Sequence, residues 1–213
     1  MGMKPSIVII SLSFCLLASC TPVTQTPSSP EVVIVYASSA AQPWLTELYT
    51  CADEQSVVLN LTSQNPDIYL RVGEPETLVF PAYQIDEEEI LIVTHRESTL
   101  QNLTLEQAQE LFARQGDSSV QVWVFSADED VQVVFDQLVM KGRSVTSFAK
   151  LATSPQQMSD ILNAELNALG ILPRHWKMGT VREVFSAGRV PVLAITKAEP
   201  TGAAQELIAC LQT

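Results

Sequence analysis

Residues 32–51 read VVIVYASSAAQPWLTELYTC. The β-branched run that begins this stretch is typical of a strand that is buried on both faces in a parallel sheet. Ser38 and Ser39 follow the run, and Pro43 then marks the start of a helix with apolar residues on one face. A strand, a small polar turn and a helix start bring backbone N–H groups together, which is how many proteins bind an anion. The stretch leaves open whether the two serines bind a ligand or only cap the helix.

The rest of the chain alternates between strand-like and helix-like segments. Short apolar runs between turn residues predict further strands at residues 57–61, 67–72, 77–83, 89–94, 120–125, 169–172 and 190–195. Capping signals and helical spacing predict a helix that begins after Thr104 and helices at residues 128–139, 147–152, 154–166 and 201–211. This alternation predicts an α/β fold with mostly parallel sheets.

The N-terminus has the features of an export signal. Lys4 precedes an apolar run at residues 7–17, which is too short for a transmembrane helix of roughly 20 residues. The run ends in Leu17-Ala18-Ser19-Cys20, which resembles the lipobox of bacterial lipoproteins, and an ordinary secretory signal is the alternative. We therefore expect residues 1–19 to be a lipoprotein signal peptide, and residues 20–30 to be a lipidated Cys20 and a flexible tether. These features predict an extracytoplasmic protein with a lipid anchor in the cell membrane.

Composition excludes several classes of function. Asp and Glu number 24 against 12 Lys and Arg, which gives a net charge of −12 and a pI near 4.5. Such a surface repels nucleic acid, and no basic stripe is present, so nucleic-acid binding is excluded. The sequence contains no G-x-S-x-G, H-E-x-x-H or C-x-x-C motif, and its two histidines are far apart. We therefore expect no enzymatic activity, no cofactor and no metal site.

Two cysteines remain once the predicted signal peptide and Cys20 are set aside. An even pair in an exported domain favours a disulfide between Cys51 and Cys210, and two buried free thiols are the alternative. A bridge would join the first helix to the last and close a very long loop. The chain-entropy model gives such a bridge a stabilisation of about 5 kcal/mol at most.

Four stretches carry a resemblance to a known family. They are ASSAAQP at residues 37–43, EEILIVTHRESTLQNLTLEQAQELFA at 88–113, VWVFSADEDVQVVF at 122–135 and NALGILP at 167–173. Their order resembles the phosphate-type solute-binding proteins of ABC transporters, of which this chain would be a short lipoprotein member. The resemblance implies the two-lobed type 2 periplasmic-binding-protein-like fold, with two crossovers at a hinge. It implies one lobe from residues 31–93 and 178–213, and a second lobe from residues 94–177.

The resemblance also implies a ligand site between the lobes. The family's two anion-binding turns match Ser38, Ser39 and Ala40 in the first lobe and Ser126 in the second. His95 and Arg96 follow one predicted crossover strand and Arg174 follows the other, so we expect them at the hinge, and Arg71 at the end of the third strand is expected to face the same site. The family has a Ser-Gly-Thr turn where this chain has Ser126 followed by Ala127 and Asp128, and the acidic residues there repel a dianionic phosphate. Solvated loop charges are the alternative role for the histidine and the arginines.

Two functions from different classes follow from these features. The first is a lipid-anchored solute-binding protein that closes over a small, phosphate-like anion and serves an ABC permease or a sensor. The second is a surface lipoprotein of the same fold that has lost ligand binding and acts as an interaction or scaffold module. In either case we expect a monomer that contacts the membrane only through its lipid anchor.

Overall fold

A computed structural model describes Gly2 and residues 30–213. Most of the expected signal peptide, Cys20 and nearly all of the tether lie outside the described residues, so those features stay predictions. Residues 30–213 form one sheet of eight strands with five α-helices. The strands are β1 (Val32–Ala37), β2 (Val58–Leu61), β3 (Ile68–Val72), β4 (Ala82–Thr94), β5 (Gln121–Val124), β6 (Lys150–Leu151), β7 (Ala168–Pro173) and β8 (Arg182–Ile195). The helices are α1 (Leu45–Glu54), α2 (Leu105–Phe112), α3 (Asp130–Phe135), α4 (Pro155–Ala164) and α5 (Ala203–Leu211).

The strand order is β2-β1-β3-β8-β4-β7-β5-β6. Four of the seven pairings between neighbours are parallel, and each of the three antiparallel pairings involves β4 or β8. The fold is therefore a mixed α/β fold. Its two halves, β2-β1-β3 and β7-β5-β6, lie on either side of the central pair.

The two long central strands connect the halves. β4 and β8 pair along nearly their whole length, and the pairing is interrupted by irregularities near Gln84, Ile90 and Ile92. The C-terminal part of β8 also pairs with β3, whereas the C-terminal part of β4 pairs with β7. The chain thus passes from one half of the sheet to the other inside these two strands.

Four predicted elements differ from the structure. Residues 77–83 and 89–94 are not two strands, because β4 runs unbroken through the acidic residues between them. Residues 147–152 are not helical and contain the edge strand β6. The last strand begins at Arg182 rather than at residue 190, because tertiary pairing with β4 extends it beyond its apolar part.

A disulfide fixes the two helices of the first half. Cys51 on α1 and Cys210 on α5 form the expected bridge, with their Cα atoms 6.0 Å apart. The two helices contact each other, so they lie on the same face of the sheet. A continuous apolar core extends from this face through both halves and includes fully buried Leu48 and Phe135.

Candidate functional site

The two serines of the opening stretch lie at the C-terminal end of β1. The Ser38 N–H donates to the Leu70 carbonyl of β3, and the Ser38 Oγ accepts the Ala41 N–H at 3.2 Å. Ser38 is therefore a cap for the turn that leads into α1. In residues 30–213 the N–H groups of Ser39 and Ala40 donate to no acceptor. This turn consequently presents unpaired backbone donors as well as two hydroxyl groups.

Carboxylates from the other half of the sheet meet both serines. Asp130, the first residue of α3, is 3% exposed, and its Oδ2 accepts the Ser38 hydroxyl at 2.5 Å and the Val72 N–H at 2.9 Å. Its Oδ1 accepts the Val131 N–H at 2.9 Å. The Glu129 Oε2 accepts the Ser39 hydroxyl at 2.7 Å. Hydrogen bonds to ionised acceptors are among the strongest in proteins, so these contacts hold the two halves of the sheet together.

The Asp130 carboxylate accepts hydrogen bonds from donors of the kind that bind oxyanion ligands. A carboxylate is a planar oxyanion, and it is bound here by the Ser38 hydroxyl and the Val72 N–H, which come from the ends of β1 and β3. The N–H of the next residue, Val131, adds a local hydrogen bond. This donor set is the kind that binds phosphate or carboxylate ligands. The donors at the end of β1 and β3 therefore bind an oxyanion that the chain itself supplies.

Arg71 lies beside these donors and lacks a partner. It follows Leu70, which pairs with Ala37, and precedes Val72, whose N–H binds Asp130. The side chain is 9% exposed, and among the described residues its Nε has no hydrogen-bond acceptor and its guanidinium makes no ion pair. A buried donor without an acceptor is costly, and a buried charge more so. An anionic ligand would supply an acceptor for the Arg71 Nε.

Two tyrosines line the same surface as Arg71. Tyr36 and Tyr69 are opposite in register on β1 and β3, and their rings stack with centroids 5.3 Å apart. Burial raises the pKa of Tyr69, and the positive charge of Arg71 opposes this while the charge of Asp130 adds to it. The Tyr69 hydroxyl therefore stays protonated and remains able to donate a hydrogen bond.

Gly73 allows the close approach of α3 to the first half of the sheet. Its φ is +75°, and a Cβ atom there would lie 2.2 Å from the Val134 Cγ2 on α3. Its N–H donates to the Pro191 carbonyl at 2.7 Å. The contact needs glycine for both reasons, because a side chain would be strained by the positive φ and would collide with α3.

Among the described residues, Ser126 makes no hydrogen bond to either of the other two serines. Ser126 is exposed, and its carbonyl accepts the Glu129 N–H in the turn before α3. Glu129 and Asp130, three and four residues later, make the contacts with Ser39 and Ser38 instead. The sequence shows that this turn is acidic, but it does not show which carboxylate reaches across to the first half.

His95 and Arg96 lie away from the serines as well. They follow Thr94, which pairs with Arg182 at the far end of β4 in the second half of the sheet. The His95 Nδ1 accepts the Glu97 N–H at 3.1 Å, and Arg96 forms an ion pair with Glu97 at 3.3 Å. The chain passes between the halves earlier, within β4, so these two residues lie beyond that crossing.

Arg174 and His175 do lie at the central strands, but carboxylates engage them. Arg174 donates to Glu89 at 2.8 Å and to both carboxylate oxygens of Glu183, and it lines a cavity of about 850 Å³. The His175 Nδ1 lies 2.9 Å from the Glu88 Oε2. Burial raises the pKa of Glu88, and its contact with His175 partly opposes this. Arg174 is therefore part of an ion-pair network rather than an unpaired anion receptor.

Other classes of site find no support in the described part of the chain. Residues 30–213 hold no cluster of three or more His, Cys, Asp or Glu side chains suited to a metal ion. In the same residues no helix is both long and apolar enough to span a membrane. Neither histidine hydrogen-bonds to a serine hydroxyl there, so no Ser–His pair is formed.

Comparison with solved structures identifies the fold. A candidate phosphate ABC transporter substrate-binding protein from Clostridium perfringens, solved with bound phosphate, is similar with a TM-score of 0.77 and 15% identity over 86% of this chain and 93% of that one. An ABC-type phosphate transport receptor from Vibrio cholerae is similar with a TM-score of 0.67 and 15% identity, over 85% of this chain and 93% of that one. The regulatory domain of CcmR from Synechocystis PCC6803, in complex with 2-PG, is similar with a TM-score of 0.65 and 11% identity, over 85% of this chain and 96% of that one.

These similarities establish a type 2 periplasmic-binding-protein-like fold. The similar structures are binding proteins and a regulatory domain rather than enzymes. No family model matches the sequence. No curated protein matches it either.

Proposed function

We propose that this chain is an extracytoplasmic, lipid-anchored solute-binding protein that binds a small anion between the two halves of its sheet. The anion would contact the turn at Ser38, Ser39 and Ala40 together with the guanidinium of Arg71, and it would displace or adjoin the Asp130 carboxylate. Delivery to an ABC permease or recognition by a sensor would follow. Similarity in fold to phosphate-binding proteins supports a solute-binding role.

The observation that supports this function best is the burial of Arg71, whose Nε has no hydrogen-bond partner among residues 30–213. An arginine in that state stabilises the protein little unless an acceptor arrives, so its presence beside unpaired N–H groups favours a ligand. A thermal-shift screen with phosphate, sulfate, molybdate, tungstate and small carboxylates tests it. A ligand at 100 times its Kd should stabilise the protein by about 2.7 kcal/mol.

The matched variants are Arg71→Gln and Arg143→Gln. Arg143 is exposed and lies in the loop after α3, so its replacement controls for the loss of one positive charge. We expect Arg71→Gln to abolish the anion-induced shift and Arg143→Gln to leave it unchanged. Equal shifts in both variants would exclude Arg71 as the anion receptor.

A second function is favoured by Asp130. Because its carboxylate already occupies the serine and amide donors, the chain would also suit an interaction module whose site is permanently filled. This function predicts that no anion raises the Tm of the natural chain, and that formate or acetate raises the Tm of Asp130→Gly. A shift in the natural chain would exclude it.

The lipid anchor is tested separately. Expression in a bacterial host with labelled palmitate should label the natural chain and leave a Cys20→Ser variant unlabelled. Labelling of both proteins, or of neither, would contradict a lipid anchor at Cys20.

A further inference from the structure

In the part of the chain that the structure describes, one face of the first half of the sheet is partly exposed. Helices α1 and α5 occupy the same face, because they contact each other and share the disulfide. On the opposite face Val32 and Val58, which pair in register, are 54% and 46% exposed. Tyr36, on the same side of β1 as Val32, is 38% exposed. Among residues 30–213, no helix covers this face at Val32, Val58 and Tyr36, whereas Arg71, near the C-terminal end of β3, is buried.

A small apolar groove lies on this face. It has a volume of about 160 Å³ and is lined almost wholly by apolar atoms. The lining residues are Pro66, Tyr69, Phe80, Ile195, Thr196 and Lys197. The Phe80 side chain forms one wall and is 51% exposed. A groove of this size is close to the roughly 150 Å³ cavity that accepts a benzene molecule in another protein.

Tyr69 lines the groove and lies on the same strand as Arg71. Tyr69 and Arg71 are two residues apart on β3, so their side chains lie on the same face of the sheet, with Cα atoms about 6.7 Å apart. Tyr69 pairs with Ile195, another residue of the groove, and Arg71 pairs with Leu193. Arg71 is not itself a lining residue of the groove, but it lies on the same strand face as Tyr69, which is one.

We infer that the anion bound by this chain is a monocarboxylate with a short apolar tail, whose carboxylate pairs with Arg71 and whose tail lies in the groove beside Phe80. This inference rests on the proposed function and names its ligand class. The charge of Arg71 complements the carboxylate, and the donors beside it already bind the carboxylate of Asp130. Glu129 and Asp130 repel a dianion more strongly than a monoanion, which disfavours phosphate.

Calorimetric titration with acetate, butyrate, hexanoate and phosphate tests the ligand class. Each methylene group that enters the groove should tighten binding about fourfold, so hexanoate should bind on the order of 100-fold more tightly than acetate. The variant Phe80→Ser removes one wall of the groove. Its control is Val79→Ser, because Val79 is 72% exposed and does not line the groove.

We expect Phe80→Ser to weaken hexanoate binding at least tenfold and to change acetate binding less than twofold, whereas Val79→Ser changes neither. Affinity that is independent of tail length, or tighter binding of phosphate, would overturn the ligand class. If an anion still bound in either of those cases, and Arg71→Gln abolished its binding, the proposed function would stand without this ligand class. If none of the four anions bound, both the ligand class and the proposed function would fail.

Discussion

Replacing Asp130 with alanine should loosen the contact between the two halves of the sheet. The substitution leaves the buried Val72 N–H without an acceptor, which costs about 1–3 kcal/mol, and removes the charge-assisted bond from Ser38, which costs about 1.5–3 kcal/mol. Relief of carboxylate desolvation offsets part of this. We therefore expect the free energy of unfolding to fall by about 2–5 kcal/mol.

Urea denaturation of the natural chain and of Asp130→Ala measures this loss directly. For a domain of this size it corresponds to a fall in Tm on the order of 10 °C. The control is Asp128→Ala, which removes an exposed carboxylate two residues earlier in the same acidic turn and should change stability little. Formate should restore part of the stability of Asp130→Ala and have no such effect on Asp128→Ala. Equal stability of the two variants would refute the role given to Asp130.

Three further substitutions test other parts of the structure. Gly73→Ala should destabilise the protein by about 2–4 kcal/mol in thermal unfolding, because the new methyl group meets Val134 and the positive φ disfavours alanine; a neutral effect would contradict the contact. Under oxidising conditions Cys51→Ala should lower the free energy of unfolding by up to about 5 kcal/mol, to the value of the reduced natural chain. If the variant remained less stable than the reduced natural chain, loss of the disulfide would not explain its effect. The hydrogen bond from Lys177 lowers the pKa of Glu183, so its stabilising effect is present above the ordinary glutamate pKa and is lost as the pH falls through the lowered value. Between about pH 6 and about pH 3 the natural chain should therefore lose more stability than Glu183→Gln, and parallel pH profiles would argue against the pair.

The opening stretch predicts its own structure well because its signals are local. A β-branched run, two serines and a proline specify a strand, a capped turn and a helix without help from the rest of the chain.

The long strands could not be read from the sequence. The acidic run from Asp86 to Glu89 reads as a loop, yet β4 passes through it because β8 pairs with it and His175 compensates the buried Glu88 carboxylate. That compensation comes from a residue more than 80 positions away. The same limit applies to Asp130, whose role depends on donors contributed by β1 and β3.

A crystal structure with a bound anion tests the proposed site most directly. The protein would be crystallised with whichever anion gives the largest thermal shift. We expect an anion oxygen within hydrogen-bond distance of the Arg71 Nε, roughly 2.7–3.2 Å, and next to the turn at Ser39 and Ala40. An anion bound elsewhere, with the Arg71 Nε still unpartnered, would contradict the proposal.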